Sequence, residues 1–172
     1  SNGAMEEFFG ELGFEHSFNA YKYNGATLVT ESLFSVKYAI SNRILTESPL
    51  RSYYTGSDGE FIYKNNYTLP IGFMTYNDPY GWEADSANDA GIENQNSLIK
   101  NLTGISNVFT LTYENATDAS FEVKPVKAGH LYMIVRNTSC DTVTATINSS
   151  EYTYKDLKKG GTIIDLGYAT PD

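Results

Sequence analysis

Leu131-Tyr-Met-Ile-Val-Arg136, followed shortly by Val143-Thr-Ala-Thr-Ile147, decides the fold class. The first run is apolar on both faces, which suits a strand covered from each side and predicts a central position. The second alternates apolar with small polar residues, the period of a half-buried strand. Turn residues at Ala128-Gly129, Asn148-Ser149 and Gly160-Gly161 separate these runs from further short strands over 151–154 and 162–166. Upstream, Val108-Phe-Thr-Leu-Thr-Tyr113 alternates in the same way, which predicts a strand with Phe109, Leu111 and Tyr113 inward. Residues 120–126 predict another, with Phe121 and Val123 inward. Several short strands at this spacing predict an antiparallel, jelly-roll-like β-sandwich over residues 105–172.

The first 104 residues read differently. Met5, Phe8, Phe9 and Leu12 fall at i, i+3, i+4 and i+7, so residues 4–12 predict a helix that Gly13 stops. Residues 21–24 predict a short extended piece, and 27–34 a connection. Ser35-Val-Lys-Tyr-Ala-Ile-Ser41 predicts a strand with Val36, Tyr38 and Ile40 on one face. A turn at Ser57-Asp-Gly59 leads into a second strand over 60–64. Residues 69–76 predict a third, with Pro70 at its start because proline donates no ladder hydrogen bond. A polar loop follows over 77–91. Leu98, Ile99 and Leu102 then share a helical face within 92–102, and Gly104 supplies the stop. The whole is mainly β with some α, an α+β fold: a mixed half over 1–104 packed on a sandwich half over 105–172, compatible with one continuous domain.

Composition narrows the function. Of 172 residues, 41% are hydrophobic and only 19% charged, which supports a packed core and opposes disorder. Fourteen Tyr and nine Phe favour sheet surfaces. Twelve basic against 21 acidic residues give a net charge of −9, which repels phosphate backbones and argues against nucleic acid as a partner. The longest unbroken apolar run, residues 131–135, is far below the ~20 residues of a membrane-spanning helix. The lone Cys140 cannot form an internal disulfide, and His16 and His130 have no ligand at metal-binding spacing, so no metal and no cofactor is expected. Asn-x-Ser/Thr triplets at Asn66, Asn101, Asn115, Asn137 and Asn148 are read as a product of Asn-rich composition, because a eukaryotic secreted domain of this size would usually carry disulfides.

Three segments carry a resemblance. Ser32-Leu-Phe-Ser-Val-Lys-Tyr-Ala-Ile-Ser41, Tyr63-Lys-Asn-Asn-Tyr-Thr-Leu-Pro-Ile-Gly-Phe73 and Asn94-Gln-Asn-Ser-Leu-Ile-Lys-Asn-Leu-Thr-Gly104 resemble, in order and spacing, segments of the YfhO-like bacterial membrane proteins. The likeness spans residues 6–104; beyond it only Ile164-Asp-Leu-Gly167 is similar. The resemblance implies a piece of a large polytopic protein of the polyprenyl-phosphate-sugar glycosyltransferase type, connected with adding sugars to lipoteichoic acid in Gram-positive bacteria. It implies an extracytoplasmic domain tethered to the cell membrane through the parent protein's own transmembrane region. No residue here matches the family's catalytic loop, so no catalytic residue is assigned and this segment is not expected to be an enzyme by itself.

The stretch most suited to a ligand is Asp78-Pro-Tyr-Gly-Trp-Glu-Ala-Asp-Ser-Ala-Asn-Asp89 with the preceding Tyr76. Aromatic faces stack on sugar C–H surfaces, and carboxylates accept hydroxyl hydrogen bonds. Tyr76, Asp78, Tyr80, Trp82, Glu83 and Asp85 are therefore the candidate binding residues, with a glycan or teichoic-acid polymer as partner. The plainer reading has Trp82 plugging the seam between the two halves, with the acids facing water. Calcium is a third reading, but the acids do not fit the EF-hand spacing. The whole chain could equally act as a free-standing surface carbohydrate-binding module or adhesin, or as a spacer with no ligand.

Overall fold

A computed structural model of the chain describes residues 3–17, 20–21, 23–41, 48–87, 89–114, 120–136, 139–147, 149–157 and 161–171. Helix α1 (Gly3–Glu11) carries Phe8 and Phe9 half-buried and delivers Leu12, fully buried, to the core, while Met5 stays exposed. Gly13 follows in the left-handed region at φ 90°. The short strands β1 (His16–Ser17) and β2 (Ala20–Tyr21) pair antiparallel. Helix α2 (Leu28–Leu33) occupies the segment expected to be a mere connection. Its signal is a capping box: Thr27 Oγ1 accepts from the Thr30 amide, and Thr30 Oγ1 accepts from the Thr27 amide. Thr30 replaces the usual Glu at the third position, and the helix is only six residues long, so periodicity alone does not reveal it.

Strands β3 (Tyr38–Ser41), β4 (Arg51–Thr55) and β5 (Phe61–Asn65) form one antiparallel sheet in the order β3-β5-β4. Its inner face holds Arg51, Tyr63 and Asn65, all buried. Tyr38 and Ile40 do share a face, but it is the outer one, alongside Tyr54. Strand β4 lacks an apolar alternation and gave no sequence signal. Helix α3 (Gly91–Thr103) ends at Gly104, φ 75°, as its sequence requires.

Helix α3 holds the first half together. Leu98 and Leu102 join Leu12 and Phe14 in a buried cluster, edged by Phe8, Phe9, Phe34 and Trp82. One turn earlier, three consecutive amides each tie down a different segment. Asn94 Nδ2 donates to the carbonyls of Glu11 and Asp85, both at 2.8 Å, and its Oδ1 accepts from the Asp85 amide. Gln95, fully buried, donates to the Leu12 carbonyl and accepts from Thr27 Oγ1 at 2.6 Å. Asn96 exchanges both of its bonds with the backbone of Phe109. A buried amide with every polar atom paired fixes register as well as stability.

The second half departs from the expected sandwich. Strands β6 (Gly129–Val135) and β9 (Thr162–Ala169) form one antiparallel ladder, and β7 (Thr142–Ile147) and β8 (Ser150–Lys155) another. Two two-stranded ladders, packed over Val135, Leu157 and Ile164, stand where a wider sandwich was expected. β9 pairs with β6, not with the preceding β8; Gly160 of the expected Gly160-Gly161 turn lies outside the described residues. The expected strands over 108–113 and 120–126 do not form. Phe109 spends its backbone N–H and C=O on the Asn96 side chain, so neither can enter a ladder. Leu111, Tyr113, Phe121 and Val123 are exposed rather than inward, and Tyr113 stacks on Phe121 with ring centroids 5.1 Å apart. Residues 69–76 are likewise no strand. The result is an α+β fold with antiparallel pairing throughout the described strands.

The apolar run at 131–135 is covered on both sides, as its composition required. One face of the β6–β9 ladder, with Met133, Val135 and Ile164, meets Val143 and Tyr154 of the β7–β8 ladder. From the other face Ile163 reaches the junction of Gly13 and Gly91, where a Cβ on Gly91 would lie 2.6 Å from the Gly13 Cα. Only glycine permits that approach of α1's end to α3's start.

Candidate functional site

The predicted binding stretch is a strap lying along α3. Its first foot is the Tyr76 amide, which donates to the Leu102 carbonyl at 2.7 Å. Asn77 Nδ2 donates to the Asn101 carbonyl at 2.8 Å. Asp78 accepts from the Tyr80 amide and so caps a 3-10 turn at Pro79–Gly81. Trp82 Nε1 donates to Ser97 Oγ at 3.2 Å, and its ring meets Phe8 edge-on at a centroid distance of 6.1 Å. Asp85 closes the strap on Asn94 and accepts from the Ala87 amide. Four successive anchors on one helix, with the Asp78 cap between them, fix the strap's backbone.

Those side chains divide into two groups. Trp82 is half-buried against the aromatic cluster. Tyr76 and Tyr80 are 84% and 96% exposed, with Asp78, Glu83 and Asp85 also at the surface. The strap therefore carries two open phenol rings and three exposed carboxylates, while Trp82 serves as its peg. Among the described residues no group of three or more His, Cys, Asp or Glu could hold a metal ion.

A second constellation was not singled out from the sequence. Arg51 of β4 lies between two carboxylates, with Nη2 2.8 Å from Glu31 Oε1 of α2 and Nη1 2.9 Å from Asp165 Oδ2 of β9. Asp165 Oδ1 also meets His130 Nε2 of β6 at 2.5 Å and accepts from the Gly167 amide at 2.8 Å. Tyr23 donates to Glu31, and the Tyr132 hydroxyl accepts from the Leu28 amide at 2.9 Å. A bulge aims these groups. Leu131 pairs with Gly167 but Tyr132 with Asp165, so Leu166 is an extra residue. That residue puts Asp165 on the face shared by His130 and Tyr132.

The electrostatics follow from burial. Dehydration alone would raise the Asp165 carboxyl, but the hydrogen bond and charge of His130, the Arg51 guanidinium and the Gly167 amide hold it below its ordinary range. Burial would also discharge Arg51, yet the two carboxylates hold it firmly protonated. Burial and the neighbouring acids push both Tyr23 and Tyr132 upward. His130 and Asp165 have the outline of a general-base pair. However, His130 Nδ1 is buried with no hydrogen-bond partner among the described residues, so no hydroxyl or thiol stands ready for activation. The cluster ties α2, β4, β6 and β9 into one unit.

The same geometry accounts for the motif segments. Asn65 Nδ2 donates to Ser32 Oγ at 3.0 Å, and the Leu69 amide donates to the Ser32 carbonyl, so the first two segments clamp each other. Asn94 and Gln95 of the third lace α1 and α2 to α3. The family model described as bacterial membrane protein YfhO matches residues 1–164. The chain belongs to the YfhO family. No match was found among curated proteins or among solved structures. Among the described residues of this YfhO-family chain, no helix is long and apolar enough to cross a membrane.

The cluster left one trace in the sequence. Asp165 is a carboxylate inside an apolar strand, followed two residues later by a glycine at φ 85°. Arg51, Glu31 and His130 sit in unrelated segments, and nothing local announces their meeting.

Proposed function

We propose that this chain is a non-catalytic extracytoplasmic part of a membrane-bound envelope glycosyltransferase. In this reading the strap from Tyr76 to Asp85 contacts a glycan or the teichoic-acid acceptor. The observation that carries it is the pair of open rings, Tyr76 and Tyr80, on a backbone-anchored strap that also carries Asp78, Glu83 and Asp85. Rigid aromatic faces bind sugar C–H surfaces with little loss of side-chain entropy, and flanking carboxylates take hydroxyl bonds. Family membership supports the membrane setting, and lipoteichoic acid is the polymer this reading selects. In a titration with glycosylated glycerol-phosphate polymer, NMR signals of Tyr76 and Tyr80 shift while those of Thr144 and Thr153, on the far ladder, stay fixed. Unmoved tyrosine signals at saturating polymer would refute the contact.

A second reading, a spacer without ligand, draws on Trp82. Its indole N–H is satisfied by Ser97 and its ring packs on Phe8, which is how a purely structural tryptophan behaves. The same titration separates the two.

A further inference from the structure

The segment between Asn65 and Asn77 inverts the usual surface composition. In a chain of net charge −9 it contains no charged residue, the nearest being Lys64 and Asp78. It is held at both feet: the Leu69 amide bonds the Ser32 carbonyl and the Tyr76 amide bonds the Leu102 carbonyl. Between the feet, among the described residues, no backbone hydrogen bond ties residues 70–75 to the body. The tip presents Ile71, 94% exposed, and Met74, 98% exposed, with Phe73 also open and Tyr67 and Tyr76 exposed at its flanks. Gly72 has open space around it. Anchored ends with a bare apolar crown make a wedge, and nothing in the described fold covers it.

We propose that this tip inserts into the interfacial layer of a lipid bilayer. A bilayer is the apolar phase that a member of a membrane-protein family has beside it. The chemistry fits that occupant in three respects. Ile, Phe and Met gain by leaving water, whereas solvent exposure of such a group has no compensation within the chain. Tyrosines at the flanks suit the headgroup level, where one end of the ring is dry and the other wet. The backbone groups of residues 70–75, which have no backbone hydrogen bond to the body among the described residues, limit the depth, since they need water or headgroup partners and could not enter the hydrocarbon core. Charge selects the lipid: with no basic residue in the segment and an acidic body behind it, the tip favours a zwitterionic surface over an anionic one. That preference is opposite to the one basic amphipathic segments show. The proposal shares only Tyr76 with the glycan contact, and its test uses other side chains, Ile71 and Met74.

Flotation of the 172-residue chain with phosphatidylcholine vesicles tests it. The chain is expected to float with these vesicles at low and high salt alike. Replacing part of the lipid with phosphatidylglycerol should weaken flotation at low salt and less so at high salt. The double substitution Ile71→Ser with Met74→Ser should lower the partition coefficient by about tenfold or more, with an unchanged thermal melt. Leu111→Ser, at another largely exposed apolar site, should leave it unaltered. No flotation with phosphatidylcholine would overturn the proposal, as would equal flotation of the double variant. Self-association in solution that the double substitution abolishes would also overturn it, by assigning the tip to a second copy of the chain.

Discussion

The junction of the two halves and the loop over residues 65–77 have exchanged the surroundings expected of their residues. Glu31, Arg51, Asp165 and His130 are charged or polar and sit inside. Ile71, Phe73 and Met74 are apolar and sit outside. The difference lies in where partners are found. Inside, the Arg51 Nη1 and Nη2 groups and the carboxylates that flank them pair with one another, and that pairing offsets their dehydration. Outside, the apolar crown has no partner in the described chain, so its reason must be sought beyond it. A buried charge with neighbours speaks for architecture, and an anchored but uncovered aromatic or aliphatic surface speaks for contact.

The largest effect should come from breaking the inner region. Arg51→Met leaves Glu31 buried without a counter-charge and Asp165 with His130 alone, and should cost about 3–5 kcal/mol in urea unfolding. A loss below ~1 kcal/mol would show that the cluster is not the lock described. Next comes Gly91→Ala, whose methyl would meet the Gly13 Cα at 2.6 Å. Such overpacking should cost about 1–3 kcal/mol, read by the same unfolding curve.

The cluster also sets the pH limits of stability. Asp165 is held below its ordinary range, so native protein keeps its carboxylate while the unfolded chain takes up the proton. Its stabilisation is present above about pH 4 and is lost as pH falls through the native value. Tyr23 and Tyr132 act in the other direction. Both are raised, so above about pH 10 the unfolded chain ionises first and stability falls as pH rises. Unfolding midpoints across pH should therefore drop at both ends, and Tyr132→Phe should flatten the alkaline limb. An alkaline limb unaltered by that substitution would break the link to the cluster.

How much of this contrast can be read from sequence depends on whether a residue's partner is local. Helices α1 and α3 are legible because their apolar periods and glycine stops lie within a few residues. Strands β7 and β8 and the doubly covered run at 131–135 are legible for the same reason. The runs at 108–113 and 120–126 carry a strand's alternation, but Asn96 claims the Phe109 backbone and no neighbouring strand is at hand. The run at 69–76 fails as a strand because its feet bond to Ser32 and Leu102 rather than to an adjacent strand. The strap was visible as a dense aromatic-acidic stretch. Its division into an inward Trp82 and outward Tyr76 and Tyr80 depends on Phe8 and Ser97, which sequence spacing does not reveal. One bond of the charged cluster, Arg51 to Asp165, spans 114 residues, which puts the cluster beyond any local pattern.

Smallest in stability should be the outer substitutions. Tyr76→Ala with Tyr80→Ala removes two rings that face solvent and should change the unfolding free energy by no more than about 0.5 kcal/mol per site. That near-neutrality makes the pair suitable for the decisive comparison. Saturation-transfer NMR on a glycosylated teichoic-acid fragment, with native chain and with this double variant, reads contact at the sugar protons directly. The account predicts transfer to the sugar from the native chain and its loss in a variant that melts at the same temperature. Equal transfer from both proteins, or none from the native chain, would contradict it.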